Sequence, residues 1–181
     1  MNAIDKFENP QRAAELSPVD TLKKLMLHEH AAFADIGAGT GLFTFAAARI
    51  TTGPVYAVDI SGEMREILRT RKEVCGAEHV EILDSIDRLP AGQCDMLFLC
   101  TVFHEIDDKE TLLQEAKRAL KADGTLAIIE FHKRETPFGP PVAHRISEEE
   151  TGAAVQEQGY TVQQAFSLGE NFYCLSFTAK K

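Results

Sequence analysis

No window of eighteen consecutive apolar residues occurs in the chain, so no helical membrane span is expected. Basic side chains are the minority charge, 19 Lys and Arg against 28 Asp and Glu for a formal net charge of −9. That balance disfavours nonspecific nucleic-acid binding. The cysteines at 75, 94, 100 and 174 include no C-x-x-C pair. Cys94, Cys100 and Cys174 sit in or beside apolar runs, where a free thiol acts as a small hydrophobe. No metal site is expected, and a reduced, cytoplasmic protein fits best. The opening MNAIDKFENPQ has neither the cationic start nor the apolar centre of a secretory signal. Repeats, low-complexity tracts and convincing linkers are also missing. With 181 residues and 44% hydrophobic content, a single domain over residues 1–181 with a sizeable core is expected.

What is present is an alternation of strand-like and helix-like pattern. Short apolar runs at residues 32–36, 55–59, 80–83, 96–100 and 125–131 are bounded by polar or glycine-containing turns. Such runs suit strands buried on both faces of a parallel sheet. Between them lie helices with readable starts. Ser17-Pro18 offers an N-cap and a proline at the first helical position for a helix over 19–27, within an N-terminal helical segment spanning 1–31. Ser61 is placed to cap 62–72. Asp107 with Glu110 resembles a capping box for a helix stopping at Gly124, and Ser147 with Glu150 repeats the pattern ahead of a helix ending near Gly159. Two further strands, 161–167 and 172–179, close the chain. Strand and helix in alternation with right-handed crossovers predict a doubly wound α/β sheet. Ligands of such sheets sit beyond the carboxyl ends of the strands.

The first apolar run breaks into Gly37-Ala38-Gly39-Thr40-Gly41. Three alternate glycines imply a tight turn, a ligand pressed against the backbone, or both. A dinucleotide fold prefers G-x-G-x-x-G, but Leu42 stands where the third glycine would fall. Asp59, about 20 positions on, suits ribose hydroxyls in either kind of fold and does not discriminate. A bare turn is the third possibility.

The set DIGAGTG, VYAVDIS, VEILDS, CDMLFLCTVFHEID and LKADGTLAIIEF resembles class I S-adenosylmethionine-dependent methyltransferases, from about Ala32 to the C-terminus. HEID and EFHKRETPFGPP are similar to small members of the ubiquinone/menaquinone C-methyltransferase-like group. The resemblance implies a seven-stranded, mostly parallel, Rossmann-like sheet whose last strand runs antiparallel. It implies S-adenosylmethionine as cofactor, with Asp35 near its amino-acid end and Gly37, Ala38 and Gly39 against its methionine portion. It places Asp59 on both ribose hydroxyls, Ile60 on the adenine face, and Asp84, Ser85 and Ile86 at the adenine edge. Cys100 and Thr101 line the side where methyl transfer occurs.

For the acceptor, the stretch Cys100-Thr101-Val102-Phe103 departs from the (N/D/S)-P-P-(Y/F) motif of members that methylate DNA bases or glutamine amides. Cys94 and Cys100, at opposite ends of one strand, suit shared ligation of a metalloid poorly. A small-molecule acceptor is therefore expected. Residues 131–146, which concentrate His132, Lys133, Arg134, His144 and Arg145 around three prolines, suit a substrate lid or a stiff solvated loop. His104 follows the fourth strand on the ligand-facing edge, where a histidine can orient or deprotonate an acceptor near neutral pH, with Glu105 to hold its imidazole. A cofactor-binding module or partner subunit without turnover of its own is the alternative.

Overall fold

The computed structural model describes residues 9–179; the first eight residues of the N-terminal segment lie outside it. Seven strands form one sheet in the order β3-β2-β1-β4-β5-β7-β6. They are β1 (Phe33–Ile36), β2 (Val55–Val58), β3 (Val80–Leu83), β4 (Cys94–Cys100), β5 (Leu120–Phe131), β6 (Tyr160–Leu168) and β7 (Phe172–Ala179). The first five pair in parallel, while β7 runs antiparallel to both β5 and β6. The helices are α1 (Pro10–Leu16), α2 (Pro18–Lys24), α3 (Leu42–Ala47), α4 (Gly62–Cys75), α5 (Lys109–Ala119) and α6 (Glu148–Glu157).

Strand alternation divides the core in two. Phe33, Met96, Phe98, Ala127 and Ile129 pack on one face with Leu16, Leu22, Phe43 and Leu68 of α1 to α4. Ala34, Leu97, Leu99, Leu126 and Ile128 pack on the other with Leu113 and Ala116 of α5 and Val155 of α6. Where both faces are covered, β1, β2 and β4 read as continuous apolar runs, while the edge strand β6 alternates half-buried with exposed residues. β1 lies between β2 and β4, so successive connections leave it in opposite directions. That is the switch point at whose carboxyl edge a crevice opens.

Several local expectations are corrected. α5 is capped by Asp108, which accepts from the Thr111 N–H at 2.9 Å, while Glu110 holds Gln114. The residue three before a free helical N–H decides the cap, and that is Asp108, one later than Asp107. α5 stops at Ala119, and Gly124 lies inside β5. A Cβ on Gly124 would stand 2.9 Å from the Cys94 carbonyl oxygen, so this glycine serves strand approach and does not stop a helix. Ser17 makes no side-chain cap bond; its hydroxyl reaches Asp20 and its backbone N–H closes α1 on Ala13. The Ser147–Glu150 capping box is present with both halves formed. Among the described residues, no helix is long and apolar enough to cross a membrane.

Candidate active site

The glycine turn follows β1 with all three glycines left-handed, at φ 69°, 55° and 88° for Gly37, Gly39 and Gly41. They are glycine for different reasons. A Cβ on Gly37 would meet Val102 at 2.5 Å, and one on Gly41 would meet the Phe45 ring at 2.6 Å. Those two glycines let the chain itself pack. Around Gly39 only the Gly37 carbonyl oxygen comes within 4.0 Å, so this is the position where the turn borders open space.

The turn's N–H groups are already engaged. Gly37 and Ala38 donate to the Val58 carbonyl at 2.8 and 3.0 Å, and Gly41 to Ala38 at 2.8 Å. Gly39 donates to Asp59 Oδ2 at 2.8 Å. A pyrophosphate cradle needs such donors directed at the ligand, so this turn suits a dinucleotide poorly.

Asp59 is buried at the end of β2. Its Oδ1 accepts from the Ser61 N–H at 2.8 Å, which together with the Gly39 bond locks the carboxylate between the β1 and β2 loops. Each oxygen keeps a further lone pair for two more donors. Beside it Ile60 is 90% exposed, an aliphatic face with no protein cover. An open glycine position, a fixed carboxylate and a bare aliphatic face together fit a ribose and a purine. At the end of β3, Asp84 pairs with Arg88 at 2.9 Å, Ser85 bonds Asp87, and Ile86 packs against the core face below.

Under the turn, buried Asp35 accepts the Thr44 hydroxyl at 2.6 Å. Desolvation pushes its pKa up to about 7, against the lowering effect of the Thr44 bonds. At the end of β4, Thr101 is left-handed at φ 56°, a strained conformation for a β-branched residue. Its N–H donates to Ile129 at 2.7 Å, and its hydroxyl accepts from Arg12 at 3.0 Å. Burial pushes the neighbouring Cys100 thiol up to about 12, which makes it a packing group and a poor nucleophile.

Across the edge lies His104, in a single helical turn, Phe103–Glu105. Its side chain is held by Glu130 of β5. The backbone N–H donates to Oε1 at 3.0 Å, and Nδ1 lies 2.8 Å from Oε2. Glu105, the expected partner, stands 3.7 Å from Nε2 with its side chain 72% exposed, whereas that of Glu130 is 1% exposed. Adjacent side chains on so tight a turn diverge, and the partner comes from the next strand. Burial pulls the His104 pKa down, but the bond and charge of Glu130, with Glu105 adding, carry it above the ordinary histidine value while Lys109 opposes. His104, Glu105, Lys109, Pro140, His144 and Ile146 line a cavity of about 470 Å³.

The 131–146 segment forms one wall of that cavity and is tied from within. Buried Arg145 donates to the carbonyls of Pro140, His132 and Arg134 at 2.8, 3.0 and 2.8 Å, and to Thr136 Oγ1 at 2.7 Å. Its guanidinium lies over the Phe131 ring. Its guanidinium is thereby tied to the loop's own carbonyls while the residue also lines the cavity. Arg134 bonds the Glu170 carbonyl, and His132 rests against Ser167 and Tyr173; both belong to the β6–β7 side. Of the four expected acceptor contacts, His144 alone keeps an exposed side chain on the cavity.

Arg12, Lys109 and Glu130 went unforeseen. Glu130 had a signal, since it is the one charged residue in the apolar run LAIIEF. Arg12 had none, because its place depends on α1 folding over the end of β4. Among the described residues, no group of three or more His, Cys, Asp or Glu is arranged to hold a metal.

Residues 34–128 match the family model described as a methyltransferase domain. An S-adenosylmethionine-dependent methyltransferase from Aquifex aeolicus is similar, with 29% identity, a TM-score of 0.92, and coverage of 98% of this chain and 97% of that one. A candidate type 11 methyltransferase from Sulfolobus solfataricus is 26% identical, with a TM-score of 0.78 and coverage of 91% and 92%. The Burkholderia thailandensis 1,6-didemethyltoxoflavin-N1-methyltransferase, solved with S-adenosylhomocysteine and its acceptor, shares the fold at 19% identity, with a TM-score of 0.73 and coverage of 93% and 79%.

Proposed function

The chain belongs to the methyltransferase domain family, and we propose that it methylates a small molecule held in the cavity between the β4 and β5 ends. It is a class I S-adenosylmethionine-dependent methyltransferase. When bound, the cofactor supplies an activated methyl group, and the protein's part is to bind, align and exclude water. Within the family, the HEID and EFHKRETPFGPP segments support a place near the small ubiquinone/menaquinone C-methyltransferase-like members.

The observation that carries the assignment of the cofactor site is the Asp59 carboxylate, fixed by the Gly39 and Ser61 N–H groups beside exposed Ile60. Asp59 takes the two ribose hydroxyls and Ile60 the adenine face. Gly37, Ala38 and Gly39 border the methionine portion, with Gly39 giving it room. Asp35 acts near the amino-acid end, from beneath the turn. Asp84 and Ser85 stand at the adenine edge, where Asp84 exchanges Arg88 for the base, and Ile86 supports them from the core. Cys100 and Thr101 close the side towards the acceptor, with Arg12 fixing the Thr101 hydroxyl. His104 and His144 present the polar groups of the acceptor cavity, and the clasped 131–146 segment serves as its wall.

Isothermal titration tests the assignment. S-adenosylmethionine and S-adenosylhomocysteine are expected to bind, and NAD is not. Asp59→Ala should weaken both by roughly thirtyfold or more, since leaving two buried donors unpaired costs about 1–3 kcal/mol each. Tighter binding of NAD than of S-adenosylmethionine, or wild-type affinity in the variant, overturns it.

A further inference from the structure

His104 and Glu130 form a pair whose geometry says more than that a histidine lines a cavity. Glu130 sits at the end of β5, its side chain almost wholly enclosed, and spends both oxygens on one residue: Oε1 on the His104 backbone N–H and Oε2 on Nδ1. The backbone bond fixes where the turn stands relative to β5. The ring bond fixes the rotation of the imidazole. A buried carboxylate beside Nδ1 also selects the tautomer, because only an Nδ1–H gives it a donor. Nε2 is then left with a lone pair at the edge of the cavity.

We infer that Glu130 is a positioning residue that makes His104 Nε2 the general base, and that the acceptor therefore carries an acidic hydroxyl, a phenol or an enol. This rests on the cavity being the acceptor site of a methyltransferase. An imidazole exchanges protons with groups within a few pH units of its own range. That includes phenols and enols and leaves out aliphatic alcohols. Thiols and ammonium groups fall in the same range, but a thiol is already partly ionised near neutral pH and the Lys109 ammonium on the cavity wall opposes a cationic acceptor. An acceptor whose lone pair is already free has no use for a base held this firmly.

In the transfer step the acceptor O–H bond breaks and its proton passes to Nε2. The oxygen's freed electron pair forms the bond to the methyl carbon, while the pair of the methyl–sulfur bond leaves with sulfur, which becomes a neutral thioether. The imidazolium so formed is held against Glu130. The charged and titratable groups around His104 are Glu130 from β5, Glu105 on its own turn, Lys109 at the start of α5, and His144 and Arg145 from the opposite wall. The Lys109 ammonium, also bonded to the Ile106 carbonyl, sets a positive charge on the wall where the acceptor's oxyanion develops.

Nitrogen-15 NMR of the imidazoles tests the pairing in the unliganded wild-type protein. The neutral form of His104 is expected to show a protonated Nδ1 and an unprotonated Nε2; the opposite tautomer overturns the inference. Glu130→Gln, which keeps the shape, should lower the titration midpoint of His104, and an unmoved midpoint also overturns it. Kinetics supply the acceptor class, using S-adenosylmethionine with 4-nitrophenol, 3,4-dihydroxybenzoate, benzylamine and thiophenol as probes. Methylation confined to the hydroxyl probes is expected, with kcat lowered at least a hundredfold in His104→Gln. In Glu130→Gln the acid limb of the rate profile should move to lower pH, with the KM for S-adenosylmethionine within twofold of wild type. Methylation of the amine or the thiol alone, or hydroxyl methylation indifferent to His104→Gln, overturns the inference and leaves the methyltransferase reading intact. S-adenosylhomocysteine formation from none of the probes overturns the hydroxyl inference, and absence of S-adenosylmethionine binding overturns the methyltransferase reading with it.

Discussion

At the β1–β2 end of the sheet the polar contacts run through backbone. Asp59 is fixed by the N–H groups of Gly39, 20 positions away, and of Ser61, its near neighbour, and the glycine turn spends its donors on the Val58 carbonyl. At the β4–β5 end they run through side chains brought from far apart. Arg12 reaches Thr101 across 89 positions, Glu130 holds His104 across 26, and Arg145 ties down the wall opposite. Backbone architecture restricts which residues fit, and it leaves a recognisable spelling. Left-handed dihedrals disfavour side chains, and the close approach of Val102 and Phe45 excludes a Cβ at Gly37 and Gly41. Side-chain architecture asks only that suitable groups meet, and many spellings achieve that. The proposed cofactor end is therefore the part a local sequence pattern can spell, and the proposed acceptor end is the part it cannot.

The largest expected effect lies beneath the cofactor end. Asp35 has its pKa raised to about 7 by burial, from 3.8. The folded state therefore keeps a proton that the unfolded chain has already lost. The contribution to stability is complete below the unfolded value, declines as pH rises, and is gone once pH passes the folded value. Relative to Asp35→Asn, which mimics the protonated form, the wild type should lose about 4 kcal/mol across that window. Urea unfolding at intervals between pH 5 and 8 reads the slope. Parallel curves for the two proteins would mean that the carboxyl is ionised throughout.

The three glycines give the next largest contrast, and they separate packing from ligand space within one turn. Gly37→Ala and Gly41→Ala each combine a left-handed backbone with a steric overlap and should cost about 3 kcal/mol. Gly39→Ala has the backbone strain without the overlap and should cost only about 1 kcal/mol, yet it should weaken S-adenosylmethionine more than tenfold. Thermal melts beside cofactor titrations decide this. Equal losses of stability at all three positions would erase the distinction.

The smallest effect belongs to the acceptor wall. Arg145→Lys keeps the charge but cannot reproduce a fork that spans several carbonyls. A loss of about 1–2 kcal/mol is expected, felt as faster proteolysis within residues 131–146, with cofactor affinity unchanged within twofold. Weakened cofactor binding in this variant would show that the two ends are coupled and end the comparison.

Much of this was legible beforehand for a physical reason. Strands covered on both faces must be apolar along their length, so β1, β2 and β4 stood out as short runs. Ser61 and the Ser147–Glu150 box marked two helix starts because a cap is a contact between residues three apart. The errors share the opposite property. Leu120 leaves α5 for the sheet because it pairs with Cys94, a partner that no window around Gly124 contains. Glu105 looked like the partner of His104 because it is adjacent, and the part Arg145 plays in clasping its own loop had no signal because the carbonyls it ties are scattered along that loop.

By itself the sequence determined the doubly wound sheet and the left-handed glycine turn that follows its first strand. Periodicity, caps and left-handed glycines depend on near neighbours or on the backbone alone, and their signals are therefore local. Only the tertiary structure decided which glycine borders open space, that Arg12 covers the end of β4, and that Glu130 rather than Glu105 orients His104. Each of those depends on where two distant segments come to lie once the sheet has assembled, and a charged side chain carries no mark of the partner it will meet.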